Sequence, residues 1–132
     1  MIQANELRIG NWVNYKGNEC RFSIYDIVNI QDDEDCASLT QPIPLTEQWL
    51  IDFGFEKDKD GWYSICFFTD CVESTEKMTI SLNLKSFRCA MFDDDDRDVL
   101  NPSYPCYTSK SIKHLHQLQN LYFALTGIEL TL

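Results

Sequence analysis

Between Met78 and Leu84 the chain alternates strictly: Met78, Ile80, Leu82 and Leu84 are apolar, while Thr79, Ser81 and Asn83 are polar. A period of two sends successive side chains to opposite faces, so the run predicts a strand with its apolar set inward and its polar set toward water. Trp62–Phe68, "WYSICFF", and Phe87–Phe92, "FRCAMF", read as further strands, with 78–84 and 87–92 pairing as a hairpin across Lys85-Ser86. "NPSYPCY" predicts an irregular or edge segment, because proline removes a ladder donor. Leu7 to Ile30 reads as two strands about a turn at Lys16-Gly17-Asn18, with Trp12, Val13, Tyr15, Phe22, Ile24, Tyr25, Ile27 and Val28 as strand-favouring residues.

Two stretches carry helix punctuation instead. In "PIPLTEQWLIDFGF" the prolines hold the chain extended, Thr46 is placed as N-cap, and Glu47 sets a carboxylate in the first turn. Gly54 ends that helix, and Phe55 folds back onto Leu50. The last helix is expected to start near Ser109 or Ser111 and to stop at Gly127. "QDDEDCASLTQP" between the two halves reads as an acidic connector. The order β-β-α-β-β-β-α predicts an α+β fold: an N-terminal β-hairpin or small SH3-like barrel element, a short helix, an antiparallel sheet and a C-terminal amphipathic helix. One domain over residues 1–132 is preferred. The alternative is two lobes, a hairpin lobe over 1–30 and an α-β-β-β-α lobe over 42–132.

At 132 residues the chain is long enough to bury a core without disulfides or a structural metal. Three Trp, six Tyr and eight Phe supply large apolar groups. The charge of −10, from 21 acidic against 11 basic residues, repels phosphate backbones and anionic lipid. Direct nucleic-acid binding is therefore disfavoured, whereas a basic protein partner is electrostatically allowed. No run approaches the roughly 18 apolar residues of a membrane span. "MIQANELRIG" lacks the basic-then-apolar pattern of a signal peptide. These features predict a cytoplasmic protein with six free thiols, none of them in a C-x-x-C pair.

The two histidines, His114 and His116, fall at the start of the last helix. Residues two apart on a regular helix lie about 200° around the axis. They are thus expected to point to opposite sides, with His114 a hydrogen-bonded flank of the core and His116 solvated, and neither pair nor metal site results. Phe123 falls on the polar side of that helix. It either meets Ile128 in a Schellman contact or stands exposed as a partner anchor. "EKDKDGWYSICF" resembles a calcium loop but has Phe67 where a bidentate Glu is required, so Asp60-Gly61 reads as a turn. "DDDDRD" sets Asp93, Asp94, Asp95, Asp96 and Asp98 in six consecutive positions, the pattern of a solvated acidic loop or of a partner surface. With no P-loop and no G-x-G-x-x-G, no cofactor is predicted.

Three stretches, "LRIGNWVNYKG" (7–17), "PIPLTEQWLIDFGFEK" (42–57) and "HQLQNLYFALTGIEL" (116–130), together resemble a family of small uncharacterised proteins encoded by Bacteroides-type gut bacteria and by their phages or other mobile elements. The resemblance implies a cytoplasmic setting tied to a phage or mobile element, and it carries no activity, cofactor or catalytic residue.

Taken together, the sequence favours a non-catalytic protein-interaction module. Its expected partner is a protein, such as one that handles DNA, met through Asp93, Asp94, Asp95, Asp96, Asp98, His116 and Phe123. Two alternatives stand beside it: a hydrolase using Asp carboxylates and a divalent metal or a Cys–His pair, and a minor virion or assembly component.

Overall fold

The computed structural model describes residues 2–70, 75–93, 106–107 and 111–132. The fold is α+β, and its contacts divide the chain into two units. Residues 1–45 and 113–130 make the first, and residues 46–112 with the last two residues make the second. The C-terminal helix thus belongs with the N-terminal segment rather than with the strands between them.

The first unit opens with a single 3-10 turn, Ala4–Glu6, followed by the hairpin β1 (Trp12–Tyr15) and β2 (Asn18–Arg21). Lys16 and Gly17 both take positive φ, at 53° and 85°, which is the two-residue turn whose twist matches a β-hairpin. The Asn14 side chain accepts from the Gly17 N–H at 2.8 Å and closes it. Short β3 (Thr40–Gln41) pairs antiparallel with β1, giving the order β2-β1-β3.

The expected second strand stops at Arg21. Ile24, Tyr25, Ile27 and Val28 lie instead on helix α1 (Ile24–Asp32). The physical reason is local. Ser23 Oγ caps the Asp26 N–H while the Asp26 carboxylate accepts from the Ser23 N–H at 2.8 Å, a reciprocal box that satisfies two orphan donors. Four β-branched residues, Ile24, Ile27, Val28 and Ile30, mask a helical spacing of three and four. The acidic stretch is not a plain connector either. Asp33 caps α2 (Glu34–Ser38), accepting from the N–H groups of Asp35 and Cys36, and Glu34 and Asp35 occupy the first turn. That is where a helix dipole favours negative charge. Ile2, Leu7, Val13, Phe22, Ile30 and Ala37 form the core of this part of the unit.

Helix α4 (Leu115–Thr126) starts later than expected, and its cap is His114 rather than a serine. His114 is held extended in a bridge opposite Pro44: the Leu45 N–H donates to Lys113 O at 3.0 Å and the Leu115 N–H to Ile43 O at 2.9 Å. A helix cannot begin while its backbone serves a bridge. Gln117 Oε1 then accepts from the N–H groups of both Lys113 and His114. Gly127 ends the helix at φ 70°, as expected, with its N–H on Phe123 O.

In the second unit α3 (Glu47–Asp52) matches its sequence signals. Thr46 Oγ1 accepts from the Trp49 N–H. Past the helix the Phe55 N–H donates to Leu50 O and the Gly54 N–H to Ile51 O, both at 2.9 Å, which is a Schellman closure around Gly54 at φ 92°. Leu50, Phe53 and Phe55 are buried. The sheet is an antiparallel meander, β4 (Glu56–Lys57), β5 (Trp62–Asp70), β6 (Thr75–Asn83), β7 (Cys89–Asp93) and β8 (Cys106–Tyr107), in that order. The β6–β7 hairpin forms as expected, and β8 is an edge strand, as is β4 on the other side.

Ile80 and Leu82 are fully buried, as the alternation requires, but Ser81 is buried too, at 6% exposure, rather than facing water. Its hydroxyl lies 2.6 Å from that of Ser64, its partner across β5. A small polar residue tolerates burial when a second hydroxyl satisfies it. Between β4 and β5, Asp58 Oδ1 accepts from the N–H groups of Asp60 and Trp62, so that carboxylate closes a turn around Gly61.

The capping box predicts that Ser23→Ala lowers the unfolding free energy by about 1 kcal/mol. Ser111→Ala, at an exposed site with no capping role, stays within about 0.5 kcal/mol of the parent. Urea denaturation of the three proteins checks both.

Candidate functional site

The first unit is joined across its sequence by side-chain amides. Asn11 and Gln119 are fully buried, at 0% and 1% exposure. Gln119 Oε1 accepts from the Trp12 N–H at 2.9 Å. Asn11 Nδ2 donates to Asn120 Oδ1 at 3.0 Å, with a longer approach to Gln119 Oε1, while Asn11 Oδ1 accepts from the Arg8 N–H at 2.6 Å. Asn120 Nδ2 donates to Glu6 O at 2.8 Å. Gln119 Nε2 in turn donates to Gly10 O at 3.4 Å, so no buried amide atom of the network is left without a partner. The network is a device for holding residues 6–12 on α4.

His116 sits beside this network and is buried, not solvated: its side chain is 2% exposed. The helical wheel misplaced it because His114 is not helical. With φ −124° and ψ 152° the N-cap lies outside the spiral, so the 200° separation does not apply. The two imidazoles lie nearly parallel, centroids 5.9 Å apart and planes within 11°. Neither His116 nitrogen has a hydrogen-bond partner among the described residues. Glu6 Oε2 approaches Nε2 at 3.6 Å. Burial pushes the His116 imidazole below its ordinary range, and His114 beside it acts the same way, with Glu6 opposing. Burial and Lys113 likewise lower His114. Stacked rings carry their lone pairs in separate planes, and among the described residues no three His, Cys, Asp or Glu are grouped to hold a metal ion.

Phe123 is neither a Schellman partner nor a free anchor. The Arg8 guanidinium lies 3.6 Å above its ring and holds Glu129 Oε1 at 2.6 Å. Ile128 is 63% exposed, and its N–H goes to Thr126 Oγ1. Asp93 ends β7 opposite Met78, while Asp94, Asp95, Asp96 and Asp98 lie outside the described residues. Of the sequence-predicted residues whose side chains are described, His116 is core and Phe123 is covered by a cation.

Cys20, Cys36, Cys66 and Cys89 are free thiols. Cys20 and Cys36 line one small cavity of about 240 Å³ with Asp26, Asn29 and Thr40. Burial and Asp26 push the Cys20 thiol up, and burial lifts Cys89 to about 11. A nucleophilic cysteine needs the opposite shift.

What sequence reasoning missed is α1. Ile24, Tyr25 and Val28 are 55%, 78% and 47% exposed, while Ile27 and Ile30 on the other side pack inward. The signal was present as the Ser23/Asp26 box, without which the same residues read as a strand.

Two stability tests follow. Gln119→Leu strips the Trp12 N–H of its acceptor, so it should cost about 1–3 kcal/mol in chemical denaturation. For His116 the folded state resists the proton that the unfolded chain accepts near the ordinary value of about 6.5. Stability should therefore fall as pH drops below about 6.5, until the folded imidazole itself titrates. His116→Leu should flatten that part of the curve, measured as unfolding midpoint against pH.

A scan against models of protein families and searches of curated proteins and of solved structures found no match. No helix among the described residues is long and apolar enough to cross a membrane.

Proposed function

We propose that the protein is a non-catalytic protein-interaction module of a phage or other mobile element, acting in the cytoplasm. The observation that carries this reading is the outer face of α1. A surface helix ordinarily turns its apolar stripe inward and a polar face to water. Here Ile24, Tyr25 and Val28 face water opposite a second apolar stripe that already meets the core. Isoleucine, valine and tyrosine are also poor helix formers, so nothing intrinsic to the helix favours them at solvent positions. Tyrosine is a residue type enriched among the dominant contacts of protein interfaces. The acidity of the chain supports a protein partner with a basic surface, such as one that handles DNA.

Affinity capture from host lysate tests the role. The wild-type protein should retain a defined partner that the variant Tyr25→Ala/Val28→Ala loses at an unchanged melting temperature. Retention of nothing by the wild-type protein, or equal retention by both, would count against an interaction role for this helix.

A further inference from the structure

Resting on that reading, the geometry points to the chemistry of the partner: α1 docks a basic amphipathic segment of another protein, its aliphatic side on Ile24, Tyr25 and Val28 and its Lys or Arg side chains on the acids at the end of the helix. At 100° per residue, Gln31, Ile24, Val28, Asp32 and Tyr25 follow one another around an arc of about 120°. All five are exposed. The apolar stripe therefore runs directly into Asp32. Asp33, Glu34 and Asp35 follow it, and each of them is exposed as well.

Two features make this charge more than a solvated corner. First, no Lys or Arg occurs between Arg21 and Lys57, so no basic residue within α1, α2 or their junction compensates these acids. Second, Asp32 stands in the last turn of α1, where the helix dipole is negative and disfavours a carboxylate. Asp33, Glu34 and Asp35 are explained by the start of α2, but Asp32 is not. A cation from outside relieves what α1 itself does not. An acidic partner would meet four like charges beside the apolar stripe, and an uncharged one would leave them unanswered. A basic segment with aliphatic residues on one side matches both halves of the surface.

Calorimetric titration with two synthetic probes tests this, one an amphipathic leucine–lysine peptide and the other its leucine–glutamate counterpart, each about four helical turns long. The leucine–lysine peptide is expected to bind and to weaken several-fold as salt rises from about 0.05 to 0.5 M. It should lose about tenfold or more with Tyr25→Ser/Val28→Gln, and about threefold with Asp32→Asn/Glu34→Gln; Asp33 is left in place because it caps α2. The leucine–glutamate peptide should not bind. Equal binding of both peptides, lost in Tyr25→Ser/Val28→Gln, would keep the docking face and overturn the basic partner. Binding of the lysine peptide that ignores the Tyr25 and Val28 changes, or no binding at all, would overturn the inference; the former would also remove α1 from the proposed role. A dimer seen by light scattering and dispersed by Tyr25→Ser/Val28→Gln would assign the face to a second copy of the chain and equally overturn it.

Discussion

Burying the amides of Asn11 and Gln119, with half-buried Asn120 beside them, is the constraint on which the first unit depends. Asn11 stands more than a hundred positions from Gln119 and Asn120, yet each segment satisfies groups the other cannot satisfy alone. A buried amide without a partner costs several times what a paired one contributes. The arrangement is therefore close to all-or-none. If α4 slides by one residue, the Trp12 N–H and the Asn11 amide lose their partners together. Hydrophobic burial of Val13, Leu115 and Leu118 supplies the drive to associate, but apolar contacts tolerate sliding. The amides set the register.

The same segment explains the histidines. Because the network holds α4 against residues 6–12 and the bridge to Pro44 holds His114 extended, the chain turns from strand to helix at His114. That places a flat ring over His116, and Glu6 closes one edge. The result is a buried His116 under a half-buried His114, with burial disfavouring the proton on both. Protonation is opposed by burial, by the neighbouring ring and by the positive end of the α4 dipole.

Helix α1 stands in contrast. Ile9, Leu39 and Ile128 are exposed as well, but Ile24, Tyr25 and Val28 are exposed together on one helix face. Phe123, the exposed aromatic suggested by the helical wheel, is capped by Arg8, and Arg8 is held in turn by Glu129. Molecules use exposed aromatics in both ways, as platforms for their own cations and as anchors for others. Only the contacts around each ring separate the two cases.

The sequence by itself determined the elements whose signals are local. Thr46 and Gly54 bound α3, Lys16-Gly17 turns the first hairpin, Gly127 stops α4, and the alternation at Met78–Leu84 marks a strand. Each depends on φ preferences or hydrogen bonds within a few residues, so the chain writes them in order. Where two local signals competed, at Ser23–Asp32, β-branched composition outweighed a capping box that proved decisive. Tertiary structure alone decided which amides meet, that Ser81 is buried against Ser64, that His114 leaves the helical spiral, and which aromatic is left facing water. Those outcomes depend on partners far away in sequence, and on where a helix can begin once a neighbouring segment has claimed its backbone, quantities that no window of consecutive residues contains.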